Sequence, residues 1–125
     1  MTMGALLGKP GVLSPPISAS LIRISVRDEV LAPESLTEVQ LLVRGRLKKL
    51  DAQIVIRKIV GSNGVPLSAP VESSRQSILV TAATPIESIA VIISAPRYAG
   101  LYRVDIESDG SSIAENLPSL IVQRT

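Results

Sequence analysis

Leu101-Tyr102-Arg103-Val104-Asp105-Ile106-Glu107-Ser108 alternates large apolar and polar side chains at nearly every step. Successive side chains of a strand point to opposite faces, so a period of two puts Tyr102, Val104 and Ile106 on one face and Arg103, Asp105 and Glu107 on the other. A helix would scatter both sets around its axis. The stretch predicts a strand with one buried and one wet face, the arrangement that antiparallel sheets carry.

The same period recurs on both sides of it. Ile22, Ile24 and Val26 alternate with Arg23, Ser25 and Arg27, and within 38–46 Val39, Leu41 and Val43 alternate with Glu38, Gln40 and Arg44. The alternation slips once in 53–60, as a bulge would cause. Residues 65–71 contain Pro66 and Pro70, which cannot donate ladder hydrogen bonds and therefore belong at a sheet edge. Ile78 and Val80 mark a strand over 75–82, Ile89, Val91 and Ile93 another over 87–94, and 119–124 supplies a last one. Between them, Asp28 to Ser35 reads as a connection, Lys48 and Lys49 as a basic turn, and Ser62-Asn63-Gly64 as a tight hairpin of type I′. The β-branched density disfavours any long helix. Short strands at this spacing predict an all-β chain, an antiparallel β-sandwich or barrel, with a jelly-roll among the topologies left open.

Gly100-Leu101-Tyr102-Arg103-Val104 resembles the penultimate-strand signature of immunoglobulin-like (Ig-like) domains, Gly-x-Tyr-x-Cys, with Val104 at the cysteine's place. Tyr98 replaces the usual preceding Asp, and the chain has no core Trp. The resemblance implies an Ig-like sandwich in which Tyr102 is architectural, its ring buried and its hydroxyl returned to a backbone group at the corner.

Composition narrows the function further. A chain of 125 residues has room for one domain. It contains no His, Cys, Trp or Phe. Imidazole bases, thiolate nucleophiles, His-oriented triads, disulfides and the usual zinc sites are thereby excluded. No Gly-x-Ser-x-Gly elbow or phosphate loop is present, no catalytic constellation assembles, and neither a catalytic residue nor a cofactor is expected. A net charge of +2 and two tyrosines as the only aromatics argue against nucleic acid, whose binders use basic faces and stacking rings. No apolar run is long enough for a membrane-spanning helix.

Residues 1–18 differ from the sandwich expected over 19–125. Gly4, Gly8, Pro10, Gly11, Pro15 and Pro16 forbid a stable helix there and favour an extended path. Met3, Leu6, Leu7, Val12 and Leu13 make this arm apolar, whereas disordered tails are normally polar. It lacks the basic start of an export signal, so cytoplasmic synthesis is expected. Such an arm reads either as a frayed tail or as a segment that docks, on its own domain or on a neighbouring protein surface, another copy included.

Two polar clusters stand out. Arg44, Arg46, Lys48 and Lys49 form a basic cluster that reads as a solvated turn, an acidic-protein contact, or a phosphate or nucleic-acid contact. Asp105, Glu107, Asp109 and Gly110 are spaced like part of a calcium loop, although Glu115 stands one place short of the closing position; the other reading is a solvated strand face followed by an Asp-Gly turn. A small, cysteine-free sandwich with an apolar arm resembles the decoration or cement proteins of tailed-phage capsids. That implies a non-enzymatic structural protein that reaches the virion. The alternative is an Ig-like binding module from a larger bacterial surface or secreted protein.

Overall fold

A computed structural model describes residues 22–45, 47–61 and 63–124. Among them the strands are β1 (Ile22–Val26), β2 (Val30–Leu31), β3 (Leu36–Arg44), β4 (Leu47–Val60), β5 (Pro66–Ala82), β6 (Ile86–Ser94), β7 (Gly100–Ser108), β8 (Ser111–Ser112) and β9 (Ser119–Val122). They form two sheets. One has the order β1-β3-β6; the other runs β2-β9-β7-β4-β5, with β8 paired to β7. Neighbours within each sheet are antiparallel except β2 and β9, which run parallel through Ile121↔Val30 and Val122↔Leu31. The first strand thus splits, with β1 in one sheet and β2 crossing to the other. This is an Ig-like antiparallel β-sandwich.

The core follows from the alternation. Ile22, Ile24, Val39, Leu41 and Val43 of the smaller sheet meet Ile54, Ile56, Val80, Val104, Ile106, Leu120 and Val122 of the larger one, all essentially excluded from water. Full burial of such side chains is worth about 1.5–3 kcal/mol each before chain entropy is charged. Tyr102 is the one aromatic in this core, and its hydroxyl donates to the carbonyl of Tyr98 at 2.5 Å. That contact is the corner implied by the resemblance. Gly100 earns its place sterically: a Cβ there would lie 2.7 Å from the carbonyl oxygen of Val60.

Four local expectations are corrected. The connection over 28–35 contains β2, which its partner β9 defines. The strands expected over 65–71 and 75–82 are one strand, β5, whose pairing with β4 shifts register between Leu47 and Leu50, between Ile56 and Arg57, and between Lys58 and Val60. The last two shifts account for the slip in 53–60. Lys48 and Lys49 lie in β4 and not in a turn. At Asn63-Gly64 only Gly64 has positive φ (80°), while Gly64 N–H donates to Gly61 O (3.0 Å) and Gly61 N–H to Val65 O (3.1 Å). That is a three-residue loop closed by a glycine bulge. The two-residue turn with positive φ at both positions is Asp109-Gly110 (53° and 79°), between β7 and β8.

The 1–18 arm lies outside the described residues. Among those that are described there is no helix, and so none long and apolar enough to cross a membrane.

Candidate interaction surface

The outer face of the larger sheet is built by the odd-numbered residues of β4 and β7. Register places Val55 opposite both Arg75 of β5 and Asp105 of β7, and Gln53 opposite Glu107. Val55 is fully buried although it stands outside the main core. The charged side chains around it provide the cover, their stems lying on apolar surface.

These charges form one network. Arg57 donates to Asp105 Oδ2 at 3.3 Å and to Glu107 Oε2, while Arg75 donates to Glu107 Oε1 at 3.2 Å. Arg75 also grips Glu72 with Nη2 at 2.7 Å and Nε at 3.2 Å, and reaches Gln53 Oε1 at 2.5 Å. The other oxygen of Asp105 accepts from its neighbour Ile106 N–H and from Ser112 Oγ, each at 2.7 Å. Asp105 and Glu107 are each only 7% exposed, so unpaired charges there would be costly. The Arg57 hydrogen bond to Glu107, reinforced by the charges of Arg57 and Arg75, holds that carboxyl below its ordinary range against the opposing effect of burial. Arg75 does the same for Glu72 through its hydrogen bond. The Arg57 guanidinium is raised in turn, first by its bond to Glu107.

Beside this neutralised patch the sheet turns apolar. The pairs Ile121↔Val30 and Ile121↔Leu101 set three large side chains in a row across β2, β9 and β7. Val30 is 50% and Ile121 39% exposed. Next to the row, Ile59, Pro70 and Leu117 line a recess of about 110 Å³ together with Arg57, Arg103 and Asp105. An exposed apolar strip flanked by satisfied charges suits burial against protein, because closing it strands no lone ion.

The residues singled out from sequence lie elsewhere. Arg44 is on the smaller sheet, where it donates to Glu115 Oε2 at 2.6 Å while Arg23 reaches the other Glu115 oxygen at 3.4 Å. Lys49 is exposed on β4 of the opposite sheet. Arg46, the Lys48 side chain, and Met3, Leu6, Leu7, Val12 and Leu13 lie outside the described residues. Arg44 and Lys49 therefore stand on separate sheets. Asp105 and Glu107 face arginines and Asp109 forms the turn; among the described residues no three carboxylates gather as metal ligands do. Arg57, Arg75, Val30, Leu117 and Ile121 were not found by sequence reasoning. For Arg57, Arg75 and Ile121 the available signal was outward strand parity, and register brings them and Val30 onto one face; Leu117 precedes β9 and carried no such signal.

No family model and no curated protein matches the chain. Solved structures do. A region of a cycloisomaltooligosaccharide glucanotransferase from Paenibacillus sp. aligns with a TM-score of 0.53 at 13% identity, covering 86% of this chain and 14% of that one. A β-glucosidase from Erythrobacter marinus aligns with a TM-score of 0.52 at 9% identity, covering 81% and 15%. The Lin-41 filamin domain aligns over 86% of this chain and 96% of its own length, with a TM-score of 0.47 at 15% identity. The chain thus spans about a seventh of the first two structures. At their identities the likeness to those two is one of fold.

Proposed function

We propose that the protein is a non-enzymatic, protein-binding β-sandwich that works by assembly. Its larger sheet lies on a partner surface, and residues 1–18 reach a neighbouring molecule. The observation that carries this reading is the outer face of β2, β9, β7 and β4, where an exposed apolar row adjoins charges already paired among themselves. The non-enzymatic part rests on the absence of His and Cys and on the engagement of Glu107 and Asp105 by Arg57. In its more specific form, the protein decorates a virion, cementing capsid subunits after synthesis in the cytoplasm; small size and the apolar arm support this form.

A second reading has its own support. The matched enzymes carry a comparable sandwich as a small part of a much longer chain, which favours a binding module within a larger protein.

Light scattering after size exclusion tests the first reading with two full-chain variants. Leu6→Asp/Leu7→Asp and Leu117→Asp/Ile121→Asp are each expected to lower assembly while melting within a few degrees of the parent. Unchanged assembly in both contradicts the proposal. Co-sedimentation with capsids from the organism of origin separates decoration from the module reading.

A further inference from the structure

We propose that the edge of β6, unpaired among the described residues, is an acceptor for an added strand, and that its occupant is Thr2–Gly8 of a neighbouring copy of this chain. The inference rests on the assembly reading above and adds the place where the arm seats.

The edges of the two sheets are treated unequally. At β1, Ile24 N–H and C=O are both taken by the side-chain amide of Asn116, at 2.8 and 2.9 Å, and Ile22 C=O accepts from Glu115 N–H at 2.6 Å. At β5, Pro66, Pro70 and the register shifts obstruct pairing. Along the β6 edge, among the described residues, side chains reach only the carbonyls near its ends, Thr84 Oγ1 donating to Ile86 C=O at 2.8 Å and Gln76 to Ile92 C=O at 3.4 Å, which leaves Ser88 and Ala90 uncovered. The β6 strand runs for nine residues without Pro, Lys or Arg, and its pairing with β3 has no bulge. Its single charged residue, Glu87, is engaged by Ala83 N–H at 3.0 Å.

Backbone parity shows which groups this edge offers. Arg27 N–H donates to Glu38 O, so the even residues of β3 bond towards β1 and its odd residues bond towards β6. The odd residues of β6 meet them, which leaves the N–H and C=O groups of Ser88, Ala90 and Ile92 pointing away from the sheet. In agreement, Ile92 C=O accepts from the Gln76 side chain of β5, at a long 3.4 Å. Here a recess of about 160 Å³ is bordered by Ile54, Ile56 and Gln76 of the larger sheet and Ile93 of β6. Ile78, Ile89 and Val91 of the core are only partly buried. One more strand beside β6 would bond the outward amides and cover these side chains.

Thr2–Gly8 fits that position. It has neither Pro nor charge, and alternation sets Met3, Ala5 and Leu7 on one side, towards the partly covered core. The intervening Lys9–Leu21 holds three prolines, and at about 3.1 Å per residue an extended spacer of that length covers about 40 Å. Its end, Ile22, pairs with Val43, which pairs with Glu87. The edge of the chain's own β6 is therefore only about 10 Å away, two strand spacings. A stiff spacer suits a neighbouring molecule better than a return over that gap.

Complementation of full-length variants tests the proposal. Leu6→Asp/Leu7→Asp blocks the donor and Ala90→Pro blocks the acceptor, with Ile92→Lys as a milder acceptor variant should the proline disturb the fold. Analytical ultracentrifugation should show each variant at least tenfold weaker in self-association than the parent. An equimolar mixture of a donor variant and an acceptor variant should recover heterodimers, because one good arm and one good edge remain. Weak donor variants alongside unaffected acceptor variants would overturn this site and leave the assembly reading standing. Equal assembly of every variant would overturn the arm in both. A monomeric parent with slowly exchanging Ala90 and Ile92 amides, made fast by the donor substitutions, would show the arm closing on its own chain and overturn the neighbouring source.

Discussion

The side-chain amide of Asn116 stands in for a strand beside Ile24, accepting from its N–H at 2.8 Å and donating to its C=O at 2.9 Å. One side chain thereby closes the exposed edge of β1 at Ile24. Asn116→Ala leaves both backbone groups of Ile24 without these partners, at a cost of about 1–3 kcal/mol. Denaturant unfolding measures the loss, and faster exchange of the Ile24 amide localises it.

Tyr102 separates packing from hydrogen bonding. Tyr102→Phe keeps the ring and removes the bond to Tyr98 O, for an expected loss of about 0.5–1.5 kcal/mol. Tyr102→Ala also empties the site of the largest side chain in the core and should cost about 3–5 kcal/mol, as aromatic truncations do. Equal losses in thermal or urea unfolding would deny the corner any role.

Glu107 sets a pH dependence whose sign is fixed. Its carboxyl is held below the ordinary range chiefly by the Arg57 hydrogen bond, so the unfolded chain takes up this proton at a higher pH than the folded one. The stabilisation is fully present above the ordinary carboxylate range, about pH 4.3, and is lost as pH falls through the lower folded value. Glu107→Gln should be less stable than the parent at pH 7, with the difference shrinking in urea titrations run at progressively lower pH. A constant difference down to pH 2 would contradict the pairing.

Gly100 is constrained by its neighbour across the sheet. The Cβ of Gly100→Ala would meet Val60 O at 2.7 Å and force β4 and β7 apart at their paired ends. A loss of about 1–3 kcal/mol is expected in chemical unfolding. A neutral substitution would show that the two strands separate there without cost.

Strand faces were legible because each residue's parity is local information: Ile22/Ile24/Val26, Val39/Leu41/Val43 and Tyr102/Val104/Ile106 all point inward as alternation requires. Gly100 and Tyr102 further indicated the Ig-like corner. Two-residue β2 was not legible, since nothing in Val30-Leu31 encodes a parallel partner some ninety residues away. The outer network was hidden for the same reason. Arg57 and Glu107 are fifty positions apart, and only the β4/β7 register makes them neighbours. The basic run 44–49 looked continuous in sequence, yet the chain changes sheets within it and separates Arg44 from Lys49.

Residue-resolved hydrogen exchange on the full chain in its assembled state tests the central claim most directly. The account predicts slow exchange at Leu6 and Leu7 together with Ala90, all accelerated on dilution to monomer while Val104 and Ile106 stay protected. Free-chain exchange rates at Leu6 and Leu7 within the assembly would contradict it.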